Sequence, residues 1–157
     1  GGFGVPLLGG DTVTAPTRVL GLTAIGRSAI VPPNRSGAAP GDRLWVTGSI
    51  GDSGAGLQAL TEKRDWPVLI ERYRTPRPRL EAGERLAPLV RAMMDVSDGL
   101  LIDAARMAAA SECGVEIALD AVPLSAAYLA ARGEDRLAAA TAGDDYELLF
   151  AASPGAT

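Results

Sequence analysis

The chain of 157 residues is long enough for one domain with its own core, and 47% hydrophobic with 22% charged residues describes a globular rather than a disordered protein. A formal net charge of −4 argues against a general nucleic-acid binder, and no apolar run reaches the length needed to cross a membrane. The sequence has no histidine, which excludes a Ser/His/Asp triad and any histidine metal site. Cys113 is the single cysteine, so an internal disulfide is excluded and a reducing, cytoplasmic location is expected.

Hydrophobic periodicity and turn signals predict an alternation of strands and helices. Aromatic residues make up only 4% of the chain, so the core must consist of aliphatic side chains, which suits helices packed on a sheet. Short apolar or alternating runs between turn signals predict strands at residues 7–8, 18–25, 44–50, 115–119 and 146–151. Apolar residues at helical spacing predict helices at residues 51–60, 66–73, 81–90, 100–110, 123–131 and 136–141.

Two loops in the first third of the chain contain candidate ligand contacts. Gly9 and Gly10 precede Asp11 in a tight turn, where glycine allows the backbone to approach a ligand closely. A plain hairpin turn explains this pattern as well. Residues 30–40 form a loop rich in Pro, Gly and Ser that is expected to act as a hinge. Arg35 in this loop either reaches a phosphate or is a solvated surface side chain.

Residues 44–60 combine a strand, a glycine-rich turn and a helix, as phosphate-binding βα units do. The glycine spacing in residues 51–56 matches neither the dinucleotide fingerprint nor a P-loop. Close packing, with Asp52 or Ser53 capping the helix, is therefore the favoured interpretation. A dinucleotide-binding oxidoreductase is an alternative that the glycine spacing disfavours.

Residues 93–103 carry the strongest indication of chemistry. Asp95 and Asp98 lie three residues apart with Ser97 between them, just before the helix predicted over residues 100–110. Ser97 or Asp98 is expected to cap this helix, whose free N–H groups attract anions. Two carboxylates suit a phosphate there only with a hard cation between them, and Mg²⁺ accepts carboxylate and phosphate oxygens together. Ordinary capping by both aspartates is the alternative.

Asp144 and Asp145 are adjacent in a turn before the last predicted strand. A side chain in this position can project from a rigid strand edge into a pocket, although aspartate is also a common turn former. Further back in the chain, Gly114 is expected to end the helix of residues 100–110 in a left-handed conformation.

Six short motifs occur in an order that resembles one enzyme family. In chain order they are Leu8-Gly9-Gly10-Asp11-Thr12, Arg35-Ser36-Gly37-Ala38-Ala39-Pro40-Gly41-Asp42, Val46-Thr47-Gly48 followed by Gly51-Asp52-Ser53, Pro76-Arg77-Pro78-Arg79, Asp95-Val96-Ser97-Asp98-Gly99-Leu100 and Gly143-Asp144-Asp145-Tyr146-Glu147-Leu148. Each motif is weak alone, whereas the ordered set is specific. Over nearly its whole length the sequence resembles the thiamine-monophosphate kinases, whose superfamily includes aminoimidazole ribonucleotide synthetase and selenophosphate synthetase.

The resemblance implies Mg²⁺- and ATP-dependent transfer of the γ-phosphoryl group to thiamine monophosphate, giving thiamine diphosphate and ADP. Phosphoryl transfer depends on positioning and charge neutralisation more than on covalent chemistry, so the lack of a histidine is no obstacle. By matching motif, the site residues would be Asp11, Asp95 and Asp98 for Mg²⁺, Gly10, Asp11, Arg35 and Ser97 for ATP, and Asp144 for the thiamine substrate.

The fold that the resemblance implies is α/β (α+β), with a mixed sheet and helices packed mainly on one face, as in the carboxy-terminal domain of aminoimidazole ribonucleotide synthetase-like proteins. Residues 1–33 would be the tail of an amino-terminal ATP- and metal-binding domain, and residues 34–157 would be an incomplete carboxy-terminal domain. The family's amino-terminal half carries further metal-binding aspartates and forms a dimer. A homodimer is therefore expected, and this chain alone is expected to be inactive.

One residue departs from the family pattern, because Ala142 stands where a glycine is usual and should stiffen the turn before Asp144. Two further functions remain open besides the kinase and the oxidoreductase. The first is a related ATP-dependent synthetase of the same superfamily. The second, of a different class, is a non-catalytic nucleotide-binding fragment.

Overall fold

The computed structural model describes residues 4–156, and its regular elements begin at Arg43. Within the described residues, no helix is both long and apolar enough to span a bilayer. The elements, with a short 3₁₀ turn at Leu119–Ala121 between the fourth and fifth helices, are β1 (Arg43–Val46), α1 (Asp52–Glu62), α2 (Pro67–Arg74), α3 (Leu80–Leu86), β2 (Ala92–Asp95), α4 (Leu100–Ala110), α5 (Ala126–Arg132), α6 (Arg136–Thr141) and β3 (Leu148–Ala152).

The three strands form one sheet in the order β1-β3-β2, with β3 in the centre although it is the last element of the chain. Both pairings are antiparallel, and Phe150 lies opposite Trp45 on one side and Met93 on the other. The α+β class is confirmed. The predicted mixed pairing is not seen in residues 4–156, because the two strands that run in the same direction, β1 and β2, are separated by β3.

One face of the sheet is covered and contributes to the core. Leu149 on β3 is 1% exposed, whereas Trp45 on the other face is 40% exposed, as the two-residue alternation of a strand requires. The helices supply most of the rest of the core, through residues such as Leu69 and Met107, and connecting segments add Ile50 and Val96. Complete burial of one such side chain contributes about 1.5–3 kcal/mol. The packing of α1 on α2 needs a glycine, because a Cβ on Gly56 would lie 2.1 Å from the Leu69 carbonyl oxygen.

The helix predictions are mostly confirmed, since α4 and α6 have the predicted bounds and α2 is displaced by one residue. The helix predicted over residues 81–90 ends at Leu86, two residues before Pro88, which agrees with the predicted break. The prediction for Gly114 is wrong. The chain leaves α4 through Ser111, and Glu112 is the residue that takes the left-handed conformation, with φ of 52°.

The predictions of strands at residues 7–8, 18–25 and 115–119 are wrong for the described chain. None of these residues lies in a strand, and the apolar side chains of Leu20 and Leu22 are each 90% exposed. The alternating pattern of residues 18–25 suits a half-buried strand, but a strand also needs a hydrogen-bonded neighbour. Residues 4–156 place no neighbouring strand beside this segment.

Candidate functional site

The candidate site lies where β2 ends and β3 begins, since these antiparallel neighbours bring both connections to the same edge of the sheet. Asp95 is the last residue of β2 and is exposed. The 96–99 loop follows it and leads into α4. The amide of Val96 donates to the Glu147 carbonyl at 2.8 Å, so the pairing with the residues before β3 continues past the regular strand.

A buried aspartate inside α4 holds the 96–99 loop in place. Asp103 is 0% exposed, and its Oδ2 accepts hydrogen bonds from the amides of Ser97 and Asp98 at 3.0 and 2.9 Å. Its Oδ1 accepts a hydrogen bond from Arg106 at 3.0 Å, and Arg106 also pairs with the exposed carboxylate of Asp98. Asp103 thus reaches back to free N–H groups before the helix, as the glutamate of a capping box does.

The prediction that Ser97 or Asp98 caps α4 is wrong. The N-cap residue is Gly99, with φ of 119° and ψ of 144°, and no side chain caps the helix. Asp103 accepts instead from the amides of Ser97 and Asp98, which precede the helix. The carboxylate of Asp98 therefore does not cap α4. It points into solvent, where Arg106 is its partner.

The second part of the site is the 143–146 turn, which lies directly against the 96–99 loop. The amide of Asp144 donates to the Ser97 carbonyl at 2.8 Å, and the amide of Tyr146 donates to the Val96 carbonyl at 2.9 Å. A Cβ on Gly143 would lie 2.6 Å from the Ser97 oxygen. The approach is so close that only glycine fits at this position, and the loop and the turn form one unit.

Asp144 and Tyr146 both have a left-handed backbone, with φ of 65° and 51°. Aspartate tolerates this conformation, but for a bulky residue such as tyrosine it is strained, and such strain concentrates at functional sites. The Tyr146 hydroxyl donates to Asp144 Oδ1 at 3.2 Å. This hydrogen bond is the main reason that the pKa of Tyr146 is raised, and the charges of Asp95 and Asp98 add to the effect. Three predicted site carboxylates therefore act on one exposed hydroxyl.

Two further acidic residues of the same segment point inward. Asp145 accepts hydrogen bonds from the amides of Gly51 and Ser53. Burial raises the pKa of Asp145 to about 7, although these two hydrogen bonds stabilise the charged carboxylate and act to lower the pKa. Glu147 is 4% exposed and accepts hydrogen bonds from the Thr47 hydroxyl and Arg79 Nε, both at 2.6 Å. Its carboxylate raises the pKa of Arg79.

The remaining predicted residues lie elsewhere. Gly10 and Asp11 are in the exposed, irregular segment before Arg43, where Asp11 accepts a hydrogen bond from its neighbour Thr12 at 2.7 Å. Arg35 is also exposed, and its carbonyl accepts a hydrogen bond from the hydroxyl of Ser111, at the carboxyl end of α4. The structure thus brings Asp95, Ser97, Asp98 and Asp144 together and leaves Gly10, Asp11 and Arg35 apart from them.

The donor set at the loop and the turn suits a hard cation, because Asp95 and Asp98 offer exposed carboxylate oxygens and Mg²⁺ prefers oxygen ligands. Within residues 4–156, no three or more His, Cys, Asp or Glu side chains are grouped closely enough to hold a metal ion. A cavity of about 390 Å³ between β1 and residues 116–123 contains none of the predicted site residues. Asp95, Ser97, Asp98 and Asp144 thus lie at the edge of the sheet and not in this cavity.

The class of protein follows from the family that this chain matches over most of its length. The family described as "AIR synthase related protein, C-terminal domain" matches residues 39–156, and the chain belongs to this family. Among its relatives are proteins named thiamine-monophosphate kinase, from Salmonella typhimurium at 38% identity and from Caulobacter vibrioides at 39%. The alignments cover 94% and 97% of this chain, but only 48% and 46% of those proteins. The chain thus spans about half the length of the curated relatives it matches.

Solved structures of thiamine-monophosphate kinases are also similar to this chain. The thiamine-monophosphate kinase of Stenotrophomonas maltophilia K279a is 34% identical with a TM-score of 0.73, over 78% of this chain and 42% of that chain. The complex "AaThiL complexed with AMPPCP and TMP" is 33% identical with a TM-score of 0.73, over 80% and 43%. E. coli HypE, a hydrogenase maturation protein, is 23% identical with a TM-score of 0.58 over 80% and 39%, and shares the fold alone.

Asp103, Arg79 and Glu147 stabilise the loop and the turn but are not among the predicted site residues. The signal for Asp103 was present, because a carboxylate stands on the apolar side of α4 next to the buried Ala104 and four residues before Met107. Arg79 belongs to a recognised motif, but its partner Glu147 is 68 residues away in the chain. No local pattern indicates a partner at that separation.

Proposed function

We propose that the protein containing this chain transfers the γ-phosphoryl group of ATP to thiamine monophosphate, giving thiamine diphosphate and ADP. The observation that carries this proposal is the contact between the 96–99 loop and the 143–146 turn. Because the Asp144 amide donates to the Ser97 carbonyl at 2.8 Å, the proposed substrate residue and the proposed nucleotide residue are held at a fixed separation. Phosphoryl transfer requires this kind of positioning.

The relatives support the identity of the two substrates. AaThiL, which is 33% identical to this chain, was solved with AMPPCP and TMP. We transfer both ligand classes to this protein, with ATP in place of AMPPCP and thiamine monophosphate as the acceptor.

The residues take the following roles in the proposal. Asp95 and Asp98, with Asp11 brought to them in the complete protein, hold Mg²⁺, which supplies charge neutralisation at the phosphates when it is bound. Gly10, Asp11, Arg35 and Ser97 contact ATP. Arg106 holds the Asp98 carboxylate in this structure, so cation binding at Asp98 competes with an existing ion pair.

Asp144 contacts the organic end of the acceptor in this proposal. A carboxylate repels the phosphate end of the molecule, whereas it attracts the positively charged thiazolium and accepts hydrogen bonds from an aminopyrimidine. The Tyr146 hydroxyl donates to Asp144 Oδ1 and so restricts the directions in which this carboxylate accepts.

The organisation of the complete protein is also part of the proposal. Residues 1–33 form the tail of an amino-terminal domain, residues 34–157 belong to the carboxy-terminal domain, and two copies associate through the amino-terminal domain. The single cysteine and the biosynthetic substrates support a cytoplasmic location.

The test is product formation by the full-length protein with thiamine monophosphate, ATP and Mg²⁺, with thiamine diphosphate and ADP quantified by chromatography. We expect equimolar thiamine diphosphate and ADP, and loss of both products when Mg²⁺ is chelated. ADP release without thiamine diphosphate, but with another phosphate acceptor converted, would move the protein to a related ATP-dependent synthetase. Nucleotide binding without turnover on any acceptor would favour the non-catalytic alternative.

A further inference from the structure

Helix α1 has no capping side chain of its own. Its N-cap is Gly51, in a left-handed conformation with φ of 91°. The next two side chains do not accept hydrogen bonds from the free amides of the helix. Asp52 accepts hydrogen bonds from the hydroxyls of Ser49 and Ser125, at 3.0 and 2.6 Å. The buried Ser53 hydroxyl has no partner among the described residues. The free N–H groups of α1 therefore need an acceptor from elsewhere.

Asp145, which is distant in sequence but adjacent in space, supplies this acceptor. Its Oδ2 accepts from the Gly51 amide at 2.7 Å, across 94 residues of sequence, and its Oδ1 accepts from the Ser53 amide at 3.2 Å. Helices α5 and α6 differ from α1, because Ser125 and Asp135 cap them locally. A cap that comes from a distant turn also fixes the position of that turn.

The fixed turn is the one that presents Asp144. The residues on either side of Asp145, Asp144 and Tyr146, both have a left-handed backbone, and their side chains meet at the hydrogen bond from the Tyr146 hydroxyl. Asp145 thus points inward to α1 while its neighbours form the exposed pair. If the carboxylate of Asp145 were lost, the backbone that orients this pair would lose its attachment to α1.

The attachment extends to the 96–99 loop. The amides of Asp144 and Tyr146 donate to carbonyls of this loop, and a Cβ on Gly143 would clash with the Ser97 carbonyl oxygen. A displacement of the turn must therefore break two hydrogen bonds or move the loop with it. Tight packing of this kind transmits displacement from one segment to the next.

We infer that Asp145 is a positioning residue, which holds the 143–146 turn and the 96–99 loop in register with each other by capping α1. Asp145 does not touch either substrate. The consequence for catalysis rests on the proposed function, whereas the structural coupling does not. The inference is therefore tested by one readout that needs no activity and one that does.

The first readout is hydrogen–deuterium exchange of the full-length protein as wild type, Asp145→Ala and Asp135→Ala. The control also removes a carboxylate cap, that of α6, whose hydrogen bonds go to Ala138 and Arg132 and not to the turn. For Asp145→Ala we expect about tenfold faster exchange at the amides of Asp144 and Tyr146, because loss of a hydrogen-bonded charge lowers the free energy of local opening. Asp135→Ala should leave these two amides at the wild-type rate.

Faster exchange confined to the amides of Gly51 and Ser53 would overturn the inference, since Asp145 would then be a cap for α1 and nothing more. If Asp145→Ala fails to fold, Asp145→Asn decides the same comparison, because asparagine keeps one acceptor oxygen. It should give a smaller increase at the same two amides, and no increase there would equally overturn the inference.

The second readout is steady-state kinetics of the same variants. A misplaced acceptor site should lower kcat/KM for thiamine monophosphate about tenfold or more, while the KM for ATP stays within about twofold. Asp145→Asn should recover part of this loss, and Asp135→Ala should behave as wild type. Equal kinetic effects in the alanine variants of Asp145 and Asp135 would contradict the inference. A wild type that makes no thiamine diphosphate refutes the proposed function, and hydrogen exchange then decides the coupling by itself.

Discussion

The ion pair of Arg79 with Glu147 gives the sharpest prediction about what stabilises the site. The Glu147 side chain is 6% exposed and that of Arg79 is 28% exposed, and both guanidinium contacts go to the same carboxylate. Glu147 immediately precedes β3, and a Cβ on Gly48 would lie 2.3 Å from its Oε1, so the carboxylate packs against the backbone of the residues that follow β1. Arg79→Ala would therefore leave a buried charge with the Thr47 hydroxyl as its remaining partner.

The cost of Arg79→Ala follows from this burial. Removal of one partner of a buried ion pair costs about 3–5 kcal/mol. Because Arg79 is partly solvated and Thr47 keeps its hydrogen bond, we expect a decrease in the free energy of unfolding of roughly 2–4 kcal/mol. Urea unfolding of the full-length protein measures it, with an unchanged dependence on urea concentration.

The matched control is Arg85→Ala. Arg85 pairs with Glu81 at 3.5 Å, but the two side chains are 79% and 86% exposed. The control should cost less than about 0.5 kcal/mol, as solvated pairs do. Equal costs for the two variants would refute the reasoning, because the buried pair would then contribute no more than a surface pair.

Two further predictions concern the carboxylates of the site. Asp95→Asn in the full-length protein should lower kcat at least about 10²-fold with little change in the binding of thiamine monophosphate. The reason is that the substitution removes charge stabilisation in the transition state. An unchanged kcat at saturating Mg²⁺ would show that Asp95 is only structural. Burial raises the pKa of Asp145 to about 7 from an ordinary value of 3.8, so the folded state binds more protons than the unfolded state between these values. The contribution of this group to stability is then complete below about pH 4 and is lost as the pH rises towards 7. The free energy of unfolding of the wild type, measured from pH 4 to 8, should fall relative to that of Asp145→Asn over this range, and parallel curves would contradict the assignment.

Local pattern was sufficient to predict two of the segments at the site, α4 and the turn before β3, although it predicted no defined strand over Ala92–Asp95. The apolar spacing of residues 100–110 gives α4 its observed bounds, and the adjacent aspartates 144 and 145 lie in the predicted turn. The proximity of Asp98 to the start of α4 also follows from sequence alone. These features depend on residues within one or two helical turns of one another, where periodicity and turn chemistry are informative.

Long-range partners were beyond sequence reasoning. The acceptor for α1 was expected to be Asp52 or Ser53, which lie in its first turn, whereas the structure uses Asp145. A strand was expected at residues 18–25 from alternation, but alternation describes the faces of a strand and not the presence of a neighbour. Both errors concern contacts between segments that no single window of sequence contains.

The kinetic effect of Asp144→Ala in the full-length protein tests the central claim most directly, because Asp144 is where the turn meets the organic end of the proposed acceptor. Loss of a charge-assisted contact costs roughly 1.5–3 kcal/mol, so the KM for thiamine monophosphate should rise about ten- to a hundredfold. The KM for ATP should stay nearly unchanged, and Asp65→Ala, at an exposed aspartate between α1 and α2, should change neither constant. An equal rise in both constants for Asp144→Ala would contradict the account, since Asp144 would then support the fold or the metal and not the thiamine substrate.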